Sequence, residues 1–512
     1  MNDAPGALLQ SDTAVHPLKA LRLGVETQHE SVAFMHFDCP VGRSEGVAAR
    51  AQVEIIVEGR SARATLYLVR GDFLGIDQVG LSEVAWRRLG CPDGRTVLVR
   101  HARPMESMSA VRSKVYGHQL GDRQLEAIVR DVVAERYTDV QLATFLTAFA
   151  AQPPRLAETV ALTRAMLKAG DRLSWPDGKI ADKHSVVGLP ANRTTPIIVA
   201  IAAAAGLTIP KTSSRAITSP AGTADAMETM APVDLAIPAM RTVVEQEGGC
   251  IVWGGSVRLS PADDIFIRVE RTLDLDSEAQ LVASVISKKL AAGSTHVLLD
   301  LPVGPTAKVR TIADATRLSS QLVAVAAELG MTARPLFTDG TQPVGTGIGP
   351  SLEARDLLAV LRLDKTAPTD LRQRAVQLAG TLLELAGSSA EGTGEAAAAA
   401  ILDDGRALKK FYAICEAQGG FREPGVAPLT RVVPARRGGA VTGIDNRIVA
   451  RIAKLAGAPG ARTAGLEVHV KLGETVERGQ PLMTLHGESR GEMDYALAYV
   501  AANPEAIAVT AQ

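Results

Sequence analysis

Two stretches of this chain combine cations, hydroxyls and turn-forming residues in a way that suits an oxyanion. The first is Asp182-Lys183-His184-Ser185-Val186-Val187-Gly188-Leu189-Pro190-Ala191-Asn192-Arg193-Thr194-Thr195, which runs straight into an apolar, Ala-rich segment. The second is Lys211-Thr212-Ser213-Ser214-Arg215-Ala216-Ile217-Thr218-Ser219-Pro220-Ala221-Gly222-Thr223. It gathers six hydroxyls and two cations in 13 residues. A lysine, hydroxyls and backbone N–H groups just ahead of a helix offer an anion both donors and the positive end of the helix dipole. Ser and Thr also favour ordinary turns and caps, so each stretch by itself reads as a solvated loop too. Neither matches the Gly-rich fingerprints of nucleoside-triphosphate or dinucleotide sites.

Such groups need a rigid frame, and the surrounding pattern is that of an α/β protein. From about residue 173 to 425, short apolar strands such as His296-Val297-Leu298-Leu299-Asp300-Leu301 alternate with Ala-rich helices. Residues 391–402 predict a helix after a Gly-rich turn. Upstream, VEIIVE (53–58), ATLYLV (64–69) and TVLVRHA from Thr96 predict a small β-rich domain. Between these regions, apolar spacings of three and four across 122–150 predict amphipathic helices, with Asp139 as N-cap of the second. Beyond Pro434 the segment 465–487 alternates again and predicts a separate β-containing domain. It resembles biotinyl-type sandwiches but lacks their Met-Lys-Met tip, so it reads as a packing domain.

The 512 residues allow roughly three to four domains. With 46% hydrophobic and 22% charged residues the chain is not a disordered one. A net charge of −1 gives no electrostatic reason for a nucleic-acid or anionic-membrane partner. Cys39, Cys91, Cys250 and Cys415 lie far apart, so neither a disulfide framework nor a zinc knuckle is expected, and a cytoplasmic location is. The first residues, MNDAPGALLQSD, do not read as a signal peptide. The longest apolar run, 196–209, is 14 residues, short of the roughly 20 that span a bilayer. His101, His118, His296, His469 and His486 share no ligand spacing, and Asp263-Asp264 reads as a solvated turn, so no metal site is expected.

Taken together, in this order and 30 residues apart, the two stretches resemble the thymidine phosphorylase (pyrimidine-nucleoside phosphorylase) family. Its Lys-His-Ser signature is matched by Lys183-His184-Ser185, its Ser-x-Arg loop by Ser213-Ser214-Arg215, and the Gly-Thr end of that loop by Gly222-Thr223. Ala283-Ser284-Val285-Ile286-Ser287-Lys288-Lys289-Leu290 matches a third segment. Thr338-Asp339-Gly340-Thr341-Gln342-Pro343 with Gly349-Pro350-Ser351-Leu352-Glu353 matches a fourth. The resemblance spans roughly residues 105–500, and the N-terminal domain with the wording of 210–223 looks most like the AMP phosphorylase branch.

The resemblance implies a multidomain α/β fold with a discontinuous helical domain, an N-terminal β-rich domain and a C-terminal α+β domain. The implied bounds are 1–104 for the N-terminal domain and 105–172 with 262–292 for the helical one. The α/β phosphate-binding domain takes 173–261 with 293–429, and the C-terminal domain 430–512. Phosphate would sit on the α/β side and the base on the helical side, with hinge closure excluding water. The implied partners are a small-molecule nucleoside or nucleotide and phosphate, with no nucleic acid and no membrane. A homodimer or larger homo-oligomer is implied, and no cofactor, inorganic phosphate being a co-substrate.

Breaking a bond at an anomeric carbon builds cationic character on the sugar and negative charge on the leaving base. The resemblance assigns phosphate to Lys183, Ser185, Ser213 and Thr223, with Thr194 or Thr195 adding a hydroxyl unless they cap the following helix. Two residues are candidates for the acid. His184 ordinarily titrates near neutrality beside the phosphate stretch. Asp276 matches the proton donor of the AMP phosphorylase branch, and its bland alternative is a helix cap. Substrate contacts are implied for Gly188, Ser214, Arg215, Ala216, Ile217, Thr218, Ser219, Thr223, Ser284 and Lys308. Ser284 and Lys288 also fit the family's base grip, but its Arg position falls on Val269, with Arg268 displaced by one. In a strand that displacement would reverse the face. Val186 and Val187 stand where relatives carry smaller residues.

The expected activity is phosphorolysis of thymidine or a related pyrimidine nucleoside to free base and (deoxy)ribose 1-phosphate. The alternatives are a nucleoside 5′-monophosphate phosphorylase, AMP first, giving ribose 1,5-bisphosphate, or a catalytically silent nucleotide-binding regulator that kept the fold.

Overall fold

A computed structural model describes residues 17–44, 48–90, 92–176, 178–186, 189–216, 219–273, 275 and 277–510. It divides into two compact units, one built from Met1–Arg112 and Ala134–Leu142, the other from Ser113–Val133 and Ala143–Gln512.

The first unit holds a closed six-stranded barrel in the order Pro17–Arg22, Gln78–Leu81, Val32–His36, Arg60–Val69, Gln52–Val57, Thr96–His101. The alternation read from VEIIVE is what closes it. Val53, Ile55 and Val57 face the core, while Gln52, Glu54 and Ile56 remain partly exposed. Closure leaves no unpaired strand edge. Thr138, rather than Asp139, caps the Asp139–Ala151 helix. Its hydroxyl accepts Gln141 N at 3.3 Å and the Gln141 side chain accepts Thr138 N at 3.0 Å. Thr at the cap and Gln three residues on form a capping box, and Asp139 becomes the first helical residue.

The second unit is organised around parallel strands. Thr332–Asp339, His296–Val303 and Ala181–Ser185 pair in that order. A bridge between Ile180 and Thr208 continues the array to Ile209–Ser213, which pairs with Gly249–Trp253. Both hydroxyl-rich stretches therefore start within strands of this array and run on past their carboxyl ends, where open α/β sheets hold ligands. The apolar run between them forms the Thr195–Ala204 helix, buried from Thr195 to Ala203, which is why it carries no polar face. The Ala-rich stretch forms the helix Gly394–Asp403.

Four helices, Asp122–Val133, Leu156–Lys168, Pro261–Leu273 and Glu278–Ala291, make the helical part, drawn from two pieces of sequence. It contains a buried ion pair. Lys114 Nζ meets Glu158 at 2.8 Å, and Glu158 also accepts the backbone N of Leu120 at 2.8 Å. Toward the C-terminus, Gly465–Val468, Pro481–Gly487 and Leu429–Pro434 form one sheet with Gly347–Ile348, and Thr475–Val476, Gly439–Ile444 and Ile507–Thr510 form another. Gly347–Ile348 thereby sews the α/β region to the C-terminal one. Gly349 follows at φ 131, and a Cβ there would lie 2.3 Å from the Ala464 carbonyl oxygen. The chain is a multidomain protein with β-rich, helical, α/β and α+β parts, as the sequence predicts. Among the described residues no helix is long and apolar enough to cross a membrane.

Glu158→Ala leaves the Lys114 ammonium buried without its partner. The expected cost is about 3–5 kcal/mol, read as a lower urea midpoint. A loss below about 1 kcal/mol would mean that Lys114 finds water or another acceptor.

Candidate active site

Lys183 and Ser185 project from the same face of the Ala181–Ser185 strand, whose neighbour places Asp300 opposite Ser185. Lys183 Nζ lies 3.1 Å from Asp300 Oδ2, 2.8 Å from Ser185 Oγ and 3.1 Å from Thr194 Oγ1. Ser185 donates to the same carboxylate, and Thr338 donates to its other oxygen at 2.7 Å. Lys183 and Asp300 are almost wholly inaccessible to solvent. Burial pulls the Lys183 ammonium below its usual range against the pull of Asp300. Burial also opposes the charge on Asp300, but Lys183, Ser185 and Thr338 outweigh it and hold the carboxyl below its usual range. Thr194 precedes the Thr195–Ala204 helix without using its hydroxyl as a cap, so that hydroxyl joins Lys183 instead. Thr195 is the first residue of that helix and is buried.

The second stretch folds back over the end of the Ile209–Ser213 strand. Asp225, one turn into the next helix, closes the loop by accepting Ala216 N at 2.6 Å and Gly222 N at 2.7 Å. Gly222 is compulsory, because a Cβ would lie 2.5 Å from the Ser214 carbonyl oxygen. Ser213 Oγ is buried with no partner among the described residues, an orphan that points to a ligand. Thr223 opens the following helix. Ser214 is exposed, and Ser219 Oγ donates to the Ala221 carbonyl at 3.0 Å. Arg215 is engaged. Its guanidinium grips Glu228 at 2.6 and 2.9 Å, lies 3.5 Å from Asp225 and stacks 4.8 Å above the Trp253 ring. Gly188, Ile217, Thr218, Val187 and Asp276 lie outside the described residues.

Across from these loops, the Glu278–Ala291 helix is anchored to the strand that carries Lys183. Lys289 reaches Asp182 at 2.8 Å, and Lys211 lies 3.3 Å from the same carboxylate. One residue before Lys289, Lys288 donates to Ser284 Oγ at 3.3 Å and pairs with Asp263 at 2.5 Å. Asp263 is completely buried, which corrects the expected solvated turn: it lies in the first turn of the Pro261–Leu273 helix. Arg268 and Val269 belong to that helix rather than to a strand. A displacement by one there rotates a side chain by about 100° instead of reversing its face. Val269 is buried and Arg268 half-buried. Ser277 caps the Glu278–Ala291 helix by accepting Gln280 N at 3.4 Å, so the cap role proposed for Asp276 falls on its neighbour. Lys308 is exposed in the turn that follows the His296–Val303 strand.

Comparisons with known proteins show the family. Residues 108–170 match the model described as glycosyl transferase family, helical bundle domain, and 177–408 match that family's a/b domain. Residues 440–506 match the pyrimidine nucleoside phosphorylase C-terminal domain. A relative from Polaromonas sp. (strain JS666), named "Putative thymidine phosphorylase", is 58% identical over 98% of both chains. One from Acidovorax sp. (strain JS42), "Putative thymidine phosphorylase 2", is 57% identical over 95% of both. The chain belongs to the thymidine phosphorylase family. It is a pentosyltransferase. The fold alone is shared with anthranilate phosphoribosyltransferase from Thermus thermophilus, at a TM-score of 0.52 and 19% identity over 60% of this chain and 99% of that one.

Of the acids that hold the site, the family segments include Glu353 but not Asp300, Asp225 or Asp263. Asp300, Asp225, Asp263 and Glu353 stand next to no motif cation in sequence. Each reaches a motif cation or loop only through a strand pairing or a helix turn. His184 also departs from expectation. Burial, then the charges of Lys289, Lys211, Lys288 and Lys183, pushes its imidazole well below 6.5. It is therefore a neutral ring at pH 7, able to donate a hydrogen bond but not to serve as an imidazolium acid.

The neutral ring has a measurable consequence. Below about pH 6.5 an unfolded His184 takes up a proton that the folded one refuses, so stability falls as pH drops, by up to about 1.4 kcal/mol per unit. His184→Asn should flatten this slope in urea titrations between pH 6.5 and 5. An unchanged slope would show that His184 titrates normally in the fold.

Proposed function

We propose that this pentosyltransferase catalyses phosphorolysis of thymidine or a related pyrimidine nucleoside. The observation that carries the reading is the cluster of Lys183, Ser185 and Thr194 around one buried cation, next to a loop with the orphaned Ser213 hydroxyl. A phosphate dianion would take the Thr194 and Ser213 hydroxyls directly, and Lys183 and Ser185 as they exchange Asp300 for it, and fixed donors in a water-poor site are worth more than in solution. The names of the relatives and the matched C-terminal domain support the pyrimidine nucleoside class.

In this reading Lys183, Ser185, Thr194, Ser213 and Thr223 hold phosphate below the sugar. A phosphate oxygen forms the new bond to the anomeric carbon while the glycosidic bond to the base breaks. Ser284 and Lys288, aimed by Asp263, hold the base. The neutral His184 ring donates a hydrogen bond to a base carbonyl, where negative charge develops.

A second reading, action on a nucleoside 5′-monophosphate, draws support from the hydroxyls of 214–219 and from Lys308, with Asp276 as proton donor. Arg215 contributes little to it while Glu228 and Asp225 occupy its guanidinium. The silent-binder reading, prompted by Val186, Val187 and Val269, predicts no base release from any nucleoside or nucleotide; Val186 and Val269 are buried core residues and Val187 lies outside the described residues.

Release of free base from thymidine, uridine, cytidine, AMP and CMP, with and without inorganic phosphate, tests both enzyme readings. Phosphate-dependent release from thymidine or uridine is expected. Release from AMP or CMP alone would move the chain to the nucleotide branch. Lys183→Ala should cut phosphate-dependent turnover by roughly 100-fold or more, and unchanged turnover would refute this phosphate site.

A further inference from the structure

Arg193 sits on the loop ahead of the Thr195–Ala204 helix and is 8% exposed, beside Glu353 at 1%. Its Nε donates to Glu353 Oε2 at 2.6 Å, its Nη1 to Thr223 Oγ1 at 2.8 Å and its Nη2 to the Ala221 carbonyl at 2.9 Å. The other oxygen of Glu353 accepts Gly349 N at 3.2 Å. One guanidinium thus ties the closing end of the hydroxyl-rich loop to the first turn of the Pro350–Arg362 helix. The strand before that helix, Gly347–Ile348, is paired with Gly465–Val468. Next to Arg193 in sequence, Thr194 bonds Lys183, so the two stretches meet at this point.

A guanidinium only donates hydrogen bonds. Because Arg193 donates to Thr223 Oγ1, that oxygen acts there as an acceptor, and the hydroxyl hydrogen has to find a different partner. Thr223 is half-buried, so that hydrogen is left for solvent or a ligand. In the phosphate reading above, where Thr223 is one of the residues that hold the anion, phosphate accepts it.

We propose that Arg193, held by Glu353, is a positioning residue for the oxyanion: it fixes the Thr223 hydroxyl as a donor toward phosphate. The inference rests on the reading above that this site takes phosphate. It goes beyond that reading in making an ion pair outside the phosphate shell a determinant of phosphate affinity. A purely structural pair would change stability and leave that affinity alone.

The test is titration calorimetry of inorganic phosphate into the full chain, which needs no turnover. The variants are Thr223→Val, the pair Arg193→Met with Glu353→Met, and the triple combination. Removing both buried charges together leaves no orphan ion, so the paired variant is expected to fold. The single Thr223 variant and the paired variant should each weaken phosphate binding about tenfold, the worth of one charge-assisted hydrogen bond. The triple variant should bind no more weakly than Thr223→Val alone, because all three changes remove the same bond. Phosphate affinity in the paired variant within about threefold of wild type would overturn the proposal, as would losses that multiply in the triple variant. Should the paired variant not fold, Arg193→Lys decides. It keeps the charge but not the three-way fork, and it must still weaken phosphate binding several-fold. Absence of phosphate binding by the wild-type chain would instead bring down the phosphate reading, and this one with it.

Discussion

Lys183 and Asp300 occupy adjacent parallel strands, and neither has access to solvent. Taking two charges out of water costs several kcal/mol per ion, and this is recovered only when geometry is close and the leftover donors and acceptors are used. Here they are. Ser185, Thr194 and Thr338 complete the bonds, and the pair is fixed where the strands end. Asp300 holds that cation against the burial that opposes its charge, and the hydrogen bonds fix its position. The sheet supplies the register, the wholly apolar Thr195–Ala204 helix keeps water out from below, and the two hydroxyl-rich segments close over it.

The same economy of charge recurs outward from the pair. Asp182 takes Lys211 and Lys289 on one side, and burial draws Lys211 down to about 7 against the pull of that carboxylate. Asp263 takes Lys288, Asp225 closes the loop and Glu353 holds Arg193. Each motif cation has a buried carboxylate that orients it. Burial first, and then the lysines near the strand ends, keep His184 neutral. Lysines from several segments thus add to the burial that depresses the histidine among them.

Much of this was legible in the residues themselves. Hydrophobic periodicity marked the barrel strands, the amphipathic helices and the apolar helix, because one face or every face of each must be buried. The two hydroxyl-rich stretches stood out because oxyanion binding needs lysine, hydroxyls and tight turns, which leave a local compositional trace. Boundaries slipped where two residues competed for one role, as at Thr138 and Asp139 or at Ser277 and Asp276. In the first case a neighbour completed a reciprocal bond that composition alone does not rank.

By itself the sequence determined the elements, the family and which segments carry the donors, since periodicity, capping chemistry and motif spacing are local properties. It did not determine which carboxylate answers which cation. Asp300 lies 117 residues from Lys183 and Glu353 160 from Arg193, and only strand pairing and helix packing bring them within bonding distance. Nor did it determine that His184 is neutral, because a pKa depends on burial and on charges contributed by several distant segments at once. Those decisions belong to the tertiary structure, where the cost of a buried charge depends on every neighbour that surrounds it.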